Sequence, residues 1–451
     1  METYKQKELT GYLPDEKPPF LKLILFAFQQ ILVMFPATVL VALLTGFHIS
    51  TTIFASGLAT LCFVLITKRQ IPLYFGSSFS YIAAIVSMTA VSFGEIAPDE
   101  KIRMAQFGIA LSGLISIAVG LLINKFGKKI VDKILPATIT GPIALTIGLS
   151  LAVAALDNAA GGNAATAAGP VANVSWIIAI ATLLATVLFS VFLKGTMSQL
   201  PIFFGIVFGY LLATAITLFT DIKVIDFAAI GQAQAIAVPH FTLPLPNWAA
   251  VLAIMPIAIA TIPESTAHVY QLDIYVNDLA KKKKSKKDYK IADKLGLNLI
   301  GDGIGDIVSG MIGGPAGTNY GENLSTMAIT RNFSIPVLVA AAVITMVISF
   351  SGVLSAAVSS IPACVIGGLS IYLFGVIAAQ GIAIMKEKDV DMFDSRNLAV
   401  MATVLIIGIG GSFINGGMIP MFGVEFPAIA TAAVVGIVLN LILSIGKKKE
   451  D

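Results

Sequence analysis

The sequence predicts an all-α polytopic membrane protein of fourteen transmembrane segments, arranged as a 7+7 inverted repeat with short unwound or β stretches in spans 3 and 10. Three observations carry this reading. Of the 451 residues, 57% are hydrophobic and only 12% charged, where soluble domains average roughly 25% charged. Basic residues fall in alternate loops. Two stretches half a chain apart match one another.

The apolar segments lie near 21–46, 50–67, 71–92, 104–124, 131–153, 173–193 and 197–220, then 248–270, 294–313, 315–331, 334–351, 353–380, 397–413 and 426–445. Mean hydropathy is +0.89. Long apolar runs, rather than ten-residue alternating ones, mean helices and not a barrel, because lipid offers no partner to an exposed backbone group. No small-residue cleavage site follows the first run, so it reads as a retained span. If the N-terminus is cytoplasmic, every loop after an even-numbered span should be basic. Those loops hold Lys68–Arg69, Lys125 with Lys128–Lys129, Lys194, the run "KKKKSKK" at 281–287, Arg331, Lys386 with Lys388, and Lys447–Lys449. Loops after odd spans carry mainly Lys101, Arg103 and Lys223. Both termini are therefore expected on the cytoplasmic side of the cell membrane. The lysine run reads as a solvated, topology-setting loop, and the small-residue stretch 154–175 as an external one.

"LPATITGPIAL" (135–145) and "IPACVIGGLSI" (361–371) align at an offset of 226, and Pro201 and Pro427 share it. The chain thus divides into a tail (1–20), a first seven-span repeat (21–240), a second (241–446) and a short C-terminal tail (447–451). An odd number of spans per half inverts the second half, an arrangement common in secondary transporters. "GSSFSY" (76–81) and "GTNYGE" (317–322) then fall at corresponding positions, in spans 3 and 10. Both are poor helix formers inside apolar segments. Such paired interruptions point to a midplane substrate site, where half-helix starts leave backbone N–H groups facing a cavity.

Ionisable groups at bilayer depth are few, and each is a functional candidate. Glu264 and His268 stand four apart in span 8, able to share a helix face and hydrogen-bond, with Pro263 beside them. Glu322 follows the break in span 10, where it can also favour a helix start. Asp302 and Asp306 in span 9 read as structural. Phe79 and Tyr320 mirror one another at the two breaks, placed to stack on a flat ligand. Cys62 and Cys364 lie in apolar segments and read as core residues. His48 and His240 fall in external loops, which leaves no intramembrane cluster of histidines, so no metal or other cofactor is expected. The net charge of +3 is small and gives no argument for nucleic-acid binding.

The stretch "ENLSTMAITR" (322–331) resembles the signature of the nucleobase–ascorbate transporter family: Glu, Gln or Pro, then Asn, any residue, Gly, four more, Thr and a basic residue. Glu322, Asn323, Thr330 and Arg331 match, and Ser325 stands where Gly is usual. The resemblance extends over residues 68–85, 262–268, 308–323, 361–382 and 396–411. It implies a core domain (spans 1–4 and 8–11), a gate domain (spans 5–7 and 12–14), proton symport by alternating access, and a possible homodimer. In the family the first signature residue tracks substrate, and Glu322 points to the uracil branch. Carried over, Glu264 and Glu322 bind the base, His268 hydrogen-bonds Glu264, and these three serve proton coupling. Phe79 and Tyr320 line the pocket, Gly321 offers backbone contacts, and Gln30, Ser78, Asn323, Asp302 and Phe374 are supporting candidates. The chain departs from the pattern at Gln30, where uracil carriers usually show His, at Pro36, at "ESTAH" in place of E-H-x-G-H, and at Phe374 in place of Tyr.

The expected function is proton-coupled uracil import, with a small nucleobase and the bilayer as partners and no enzymatic activity. The alternatives are a xanthine or broader purine/pyrimidine permease, and an anion carrier of the same architecture. The last would want a fixed positive charge at mid-depth in spans 3, 8 or 10, where only carboxylates stand.

Overall fold

The computed structural model describes residues 11–127, 135–162, 164 and 167–445. Lys128, Lys129, Lys447–Lys449, the start of the segment at 131–153 and part of the loop 154–175 lie outside the described residues. In chain order the first part holds α1 (Phe20–Thr45), α2 (Ile49–Ile66), β1 (Phe75–Ser77), α3 (Ile82–Thr89), α4 (Asp99–Phe126), α5 (Ala137–Ser150), α6 (Ala152–Ala159), α7 (Gly169–Phe192) and α8 (Pro201–Phe219). The second holds α9 (Trp248–Ile254), α10 (Ile257–Lys282), α11 (Leu295–Ile312), β2 (Gly317–Asn319), α12 (Gly321–Thr330), α13 (Ile335–Ile348), α14 (Gly352–Ser359), α15 (Ala363–Glu387), α16 (Ser395–Leu405), β3 (Met418–Met421), β4 (Val424–Pro427) and α17 (Ala428–Ser444). Among the described residues, nine helices are long and apolar enough to cross a membrane. Many apolar side chains point outward, from Leu25 on α1 to Leu211 on α8 and Ile442 on α17. In a bilayer that outer surface meets lipid.

Interhelical packing rests on small residues, which let backbones approach closely when lipid supplies no hydrophobic drive between helices. α4 and α11 run antiparallel along a seam where Gly113 faces Gly303 and Gly120 faces Gly296. A Cβ on Gly120 would stand 2.5 Å from the Gly296 carbonyl, and one on Gly296 would stand 2.6 Å from the Gly120 carbonyl. α2 meets α13 at Gly57 against the Ala342 carbonyl, and α5 meets α15 at Gly141 and Gly381. Contacts fall into two groups: α1, α2, α4, α11 and α13 pack together, as do α5, α7, α15, α16 and α17.

Three features depart from the sequence reading. The segment at 353–380 is two elements: α14 bends 84° from α13, and a second break at Pro362 precedes α15. Ser349–Ser351 and Pro362 supply the interruptions. Between α16 and α17 the chain makes an antiparallel hairpin, β3–β4, that apolar periodicity did not reveal. The described part of the expected N-terminal tail is fastened down. Tyr12 N–H donates to the Arg331 carbonyl (2.8 Å), Phe333 N–H to that of Tyr12 (2.8 Å) and Ile335 N–H to that of Pro14 (3.0 Å). Lys283 pairs with Glu16 at 2.5 Å and Lys287 with Asp15 at 2.9 Å. The lysine run is thus partly engaged with the chain's own beginning.

Two predictions follow from this packing. Gly296→Val should lower stability by about 1–3 kcal/mol, the usual cost of overpacking, read as a lower thermal midpoint in detergent. Gly375→Ala, on α15 with nothing within 4 Å of its added Cβ, should not. Asp15 is held below its usual value of 3.8: burial alone would raise it, but hydrogen bonds from Tyr289 and Lys287 outweigh that. A depressed carboxylate contributes stability above its unfolded value and loses it as pH falls through the folded one. Asp15→Asn should therefore speed amide exchange at Tyr12, Phe333 and Ile335 at neutral pH, and the wild type should loosen likewise below about pH 3.8.

Candidate functional site

The two interrupted stretches meet. β1 pairs antiparallel with β2, Phe75 opposite Asn319, Gly76 opposite Thr318 and Ser77 opposite Gly317. Two more bonds extend the ladder, Tyr320 N–H to the Tyr74 carbonyl and Ser78 N–H to the Ala316 carbonyl, each 2.9 Å. Outer edges are satisfied by side chains. Ser56 Oγ and Thr60 Oγ1 donate to the Phe75 carbonyl at 2.8 and 3.0 Å, and Asp306 Oδ1 accepts from Gly317 N–H at 2.7 Å. Because the strands are antiparallel, the helical segments that follow them, a turn at Phe79–Tyr81 leading into α3, and α12, leave from opposite ends of the ladder. Neither start is capped by a side chain, so their first N–H groups remain available as donors.

Glu322 lies in the first turn of α12, and Glu264 and His268 lie one turn apart on α10. All three are half-buried, as are Gly321 and Phe79. Glu264 stands within electrostatic reach of Glu322 and then Asp302. The helices thus bring together the two carboxylates that lie 58 positions apart in sequence.

Several expected contacts take another form. His268 makes no hydrogen bond to Glu264. It sits against the Asn319 backbone, and a Cβ on Gly321 would stand 2.7 Å from its Nε2. Only glycine lets α12 begin so close to the imidazole. Tyr320 is 3% exposed. Its hydroxyl donates to the Ser77 carbonyl and meets Thr38 Oγ1, each at 3.0 Å, while its ring covers Gly76. Tyr320 therefore braces the strand crossing. Phe79 packs edge-on against buried Phe374, ring centroids 6.2 Å apart, which links the two packing groups.

The supporting candidates are mostly occupied. Asn323 Nδ2 donates to both the Gln30 carbonyl (3.0 Å) and Gln30 Oε1 (2.8 Å), so Gln30 holds α12 to α1. Asp302 accepts from Ser265 and from Asn298 Nδ2, and Asn298 Oδ1 accepts from Asn319. Ser78 Oγ, Thr318 Oγ1, Asn319 Oδ1, Asn323 Oδ1 and His268 Nδ1 are buried without a protein partner. Such atoms each cost about 1–3 kcal/mol if left unmatched. They gather polar atoms at the crossing. Thr38, Ser56, Thr60, Ser265 and Asn298 were not singled out from sequence, since Ser and Thr in apolar helices ordinarily bond back to their own turn. A cavity of about 590 Å³ lies elsewhere, between α3, α9 and the β3–β4 hairpin, lined by Met88, Ala253, Asn415 and Glu425 among others.

Nine membrane-length helices among the described residues, around a buried, broken-strand polar centre, define a multi-pass membrane protein. The comparisons agree. A family model described as "Permease family" matches residues 21–417. The chain is 37% identical to a uracil permease of Bacillus caldolyticus over 95% of this chain and 94% of that one. It is 35% identical to a uracil permease of Bacillus subtilis (strain 168), over 99% and 98%. In fold it is similar to the transmembrane domain of the cyanobacterial bicarbonate transporter BicA, with a TM-score of 0.62 at 16% identity over 89% of this chain and 98% of that one. The chain belongs to the nucleobase–ascorbate transporter family of permeases, and is a transporter, not an enzyme.

Asp306 offers a direct test of the crossing. Asp306→Ala leaves the Gly317 N–H buried and unpaired and should cost about 1–3 kcal/mol. Asp306→Asn keeps an acceptor and should restore most of the thermal midpoint.

Proposed function

We propose that the protein imports uracil across the cell membrane by proton symport with alternating access. The observation that carries this reading is the nearness of half-buried Glu264 to Glu322 at the uncapped start of α12, in a chain whose relatives over nearly its whole length are uracil permeases. Uracil is planar and neutral, with two N–H donors and two carbonyl acceptors. Carboxylates accept from the N–H groups, and the backbone donors at the half-helix starts serve the carbonyls. Phe79 supplies an apolar face. Gly321 lets the backbone come close. One proton shared by the two acids and His268 travels with the base, and no other cofactor takes part. Two carboxylates and no Lys or Arg at this point argue against an anion as cargo, despite the fold shared with a bicarbonate transporter.

Fourteen spans in a 7+7 inverted repeat form the frame of this mechanism. Supporting it, exchanging the halves turns each packed pair into another. The contact of α4 with α11 becomes that of α13 with α2, that of α7 with α15 becomes that of α16 with α5, and β1–β2 maps onto itself. The first packing group corresponds to the core domain and the second to the gate. Both termini lie in the cytoplasm, and the protein works as a homodimer or as a single chain.

The test is uptake of labelled uracil into proteoliposomes. An inward proton gradient should drive accumulation, and a sodium gradient alone should not. Removing a charge-assisted hydrogen bond costs about 1.5–3 kcal/mol, so Glu322→Gln and Glu264→Gln should each reduce uptake about tenfold or more. Full uptake by Glu322→Gln would remove its assigned role, and uptake indifferent to collapse of the proton gradient would remove symport.

A further inference from the structure

Away from the crossing, three side chains from distant parts of the chain meet at the end of the bundle opposite the lysine run. His48 lies in the turn between α1 and α2. Asp99 is the first residue of α4. His240 belongs to the segment that joins α8 to α9. His240 Nε2 lies 2.9 Å from Asp99 Oδ2 and His48 Nε2 lies 3.7 Å from Asp99 Oδ1. The two imidazole rings are tilted by 46° to one another, centroids 4.4 Å apart. All three ligand atoms lie within 4.8 Å of one another. His48 Nε2 is buried and has no hydrogen-bond partner.

We infer that His48, Asp99 and His240 form a binding site for a divalent transition-metal ion, Zn²⁺ above all. Donors bound tetrahedrally at about 2.0–2.2 Å stand roughly 3.4 Å apart. The observed spacings of 2.9 and 3.7 Å, to the two oxygens of Asp99, bracket that value. Imidazole nitrogen with one carboxylate is a donor set that suits Zn²⁺, Cu²⁺ and Ni²⁺, whereas Mg²⁺ and Ca²⁺ want oxygens only. Asp99 and His240 are 53% and 50% exposed, which leaves an open position for water, as in three-ligand zinc sites. Metal in place of the present hydrogen bond would also give the orphaned His48 nitrogen a partner.

The surroundings fix the donors. Thr51 Oγ1 donates to the His240 carbonyl at 2.8 Å. Gln106 Nε2 donates to the Thr242 carbonyl and Thr242 Oγ1 to Gln106 Oε1, at 2.8 and 2.7 Å. Arg103 Nε donates to the Leu243 carbonyl at 2.9 Å and accepts the Leu245 N–H at its own carbonyl at 2.8 Å. His240 is thereby held over Asp99 by bonds to its own carbonyl and to the residues that follow it. An ion bound there joins α2, α4 and the joining segment at one point.

The experiment is titration of purified, tag-free protein with Zn²⁺ against a chromophoric chelator, with Mg²⁺ as control. One ion per chain should bind at micromolar or tighter concentration, with no response to Mg²⁺. His240→Ala and Asp99→Asn should each weaken binding by at least about tenfold, since losing even an outer partner of a metal ligand costs about 10–100-fold. Zinc-edge absorption of the wild-type complex should report two imidazoles. That readout stands even if a variant is poorly folded. Binding in His240→Ala within twofold of wild type, an absorption spectrum without paired imidazoles, or no wild-type binding below 100 µM (about −5.5 kcal/mol) would overturn the proposal.

Discussion

A backbone that leaves the helix at bilayer depth must find new partners for its N–H and C=O groups, because hydrocarbon offers none. Everything central to this structure follows from how that demand is met. The two interruptions satisfy each other: β1 and β2 pair, and Ser56, Thr60 and Asp306 finish the edges. Breaking one span alone would leave a row of unpaired groups. Breaking two at the same depth, in antiparallel sense, makes a short ladder and frees two helix starts. The polar cluster of Asp302, Ser265, Asn298 and Asn319 is the support this ladder requires.

The glycine seams serve the same end at larger scale. Helix pairs that touch backbone to backbone cannot slide without separating, so α4 with α11 and α2 with α13 hold the crossing from both sides. Residues that bind cargo must be placed to within about half an ångström, and such placement depends on a rigid second layer. Here that layer is Gln30 on Asn323 and Thr38 on Tyr320, neither of which needs to touch a ligand.

Much of this was legible in the sequence. "GSSFSY" and "GTNYGE" stood out as helix-poor stretches in apolar surroundings, and the structure sets them side by side. Glu264 and Glu322 stood out as rare acids in apolar segments, and they stand within electrostatic reach of one another. Sequence could not say which way a side chain turns. His268 shares a face with Glu264 by spacing, yet faces the start of α12, since Gly321 leaves room there. Tyr320 looked like a stacking surface, but Ser77 and Thr38 claim its hydroxyl. The break at Pro362 between α14 and α15 and the β3–β4 hairpin were hidden for another reason. The apolar run at 353–380 continues across the first, and hydropathy does not register strand pairing in the stretch between the last two runs.

The segment joining α8 to α9 has a mechanical consequence. Ala237 N–H bonds to the Phe350 carbonyl, and Thr242 and Leu245 are tied to Gln106 and Arg103. Nearer α8, Val224 and Ile225 N–H groups donate to Thr217 Oγ1 at 3.1 and 3.2 Å, so the stretch between Ile225 and Ala237 links the two fastened ends. In the proposed cycle this is a short leash between the moving part and the stationary one. At most about 3.3–3.6 Å per residue can be paid out, so the fastening sets an upper limit on the stroke without entering the binding site.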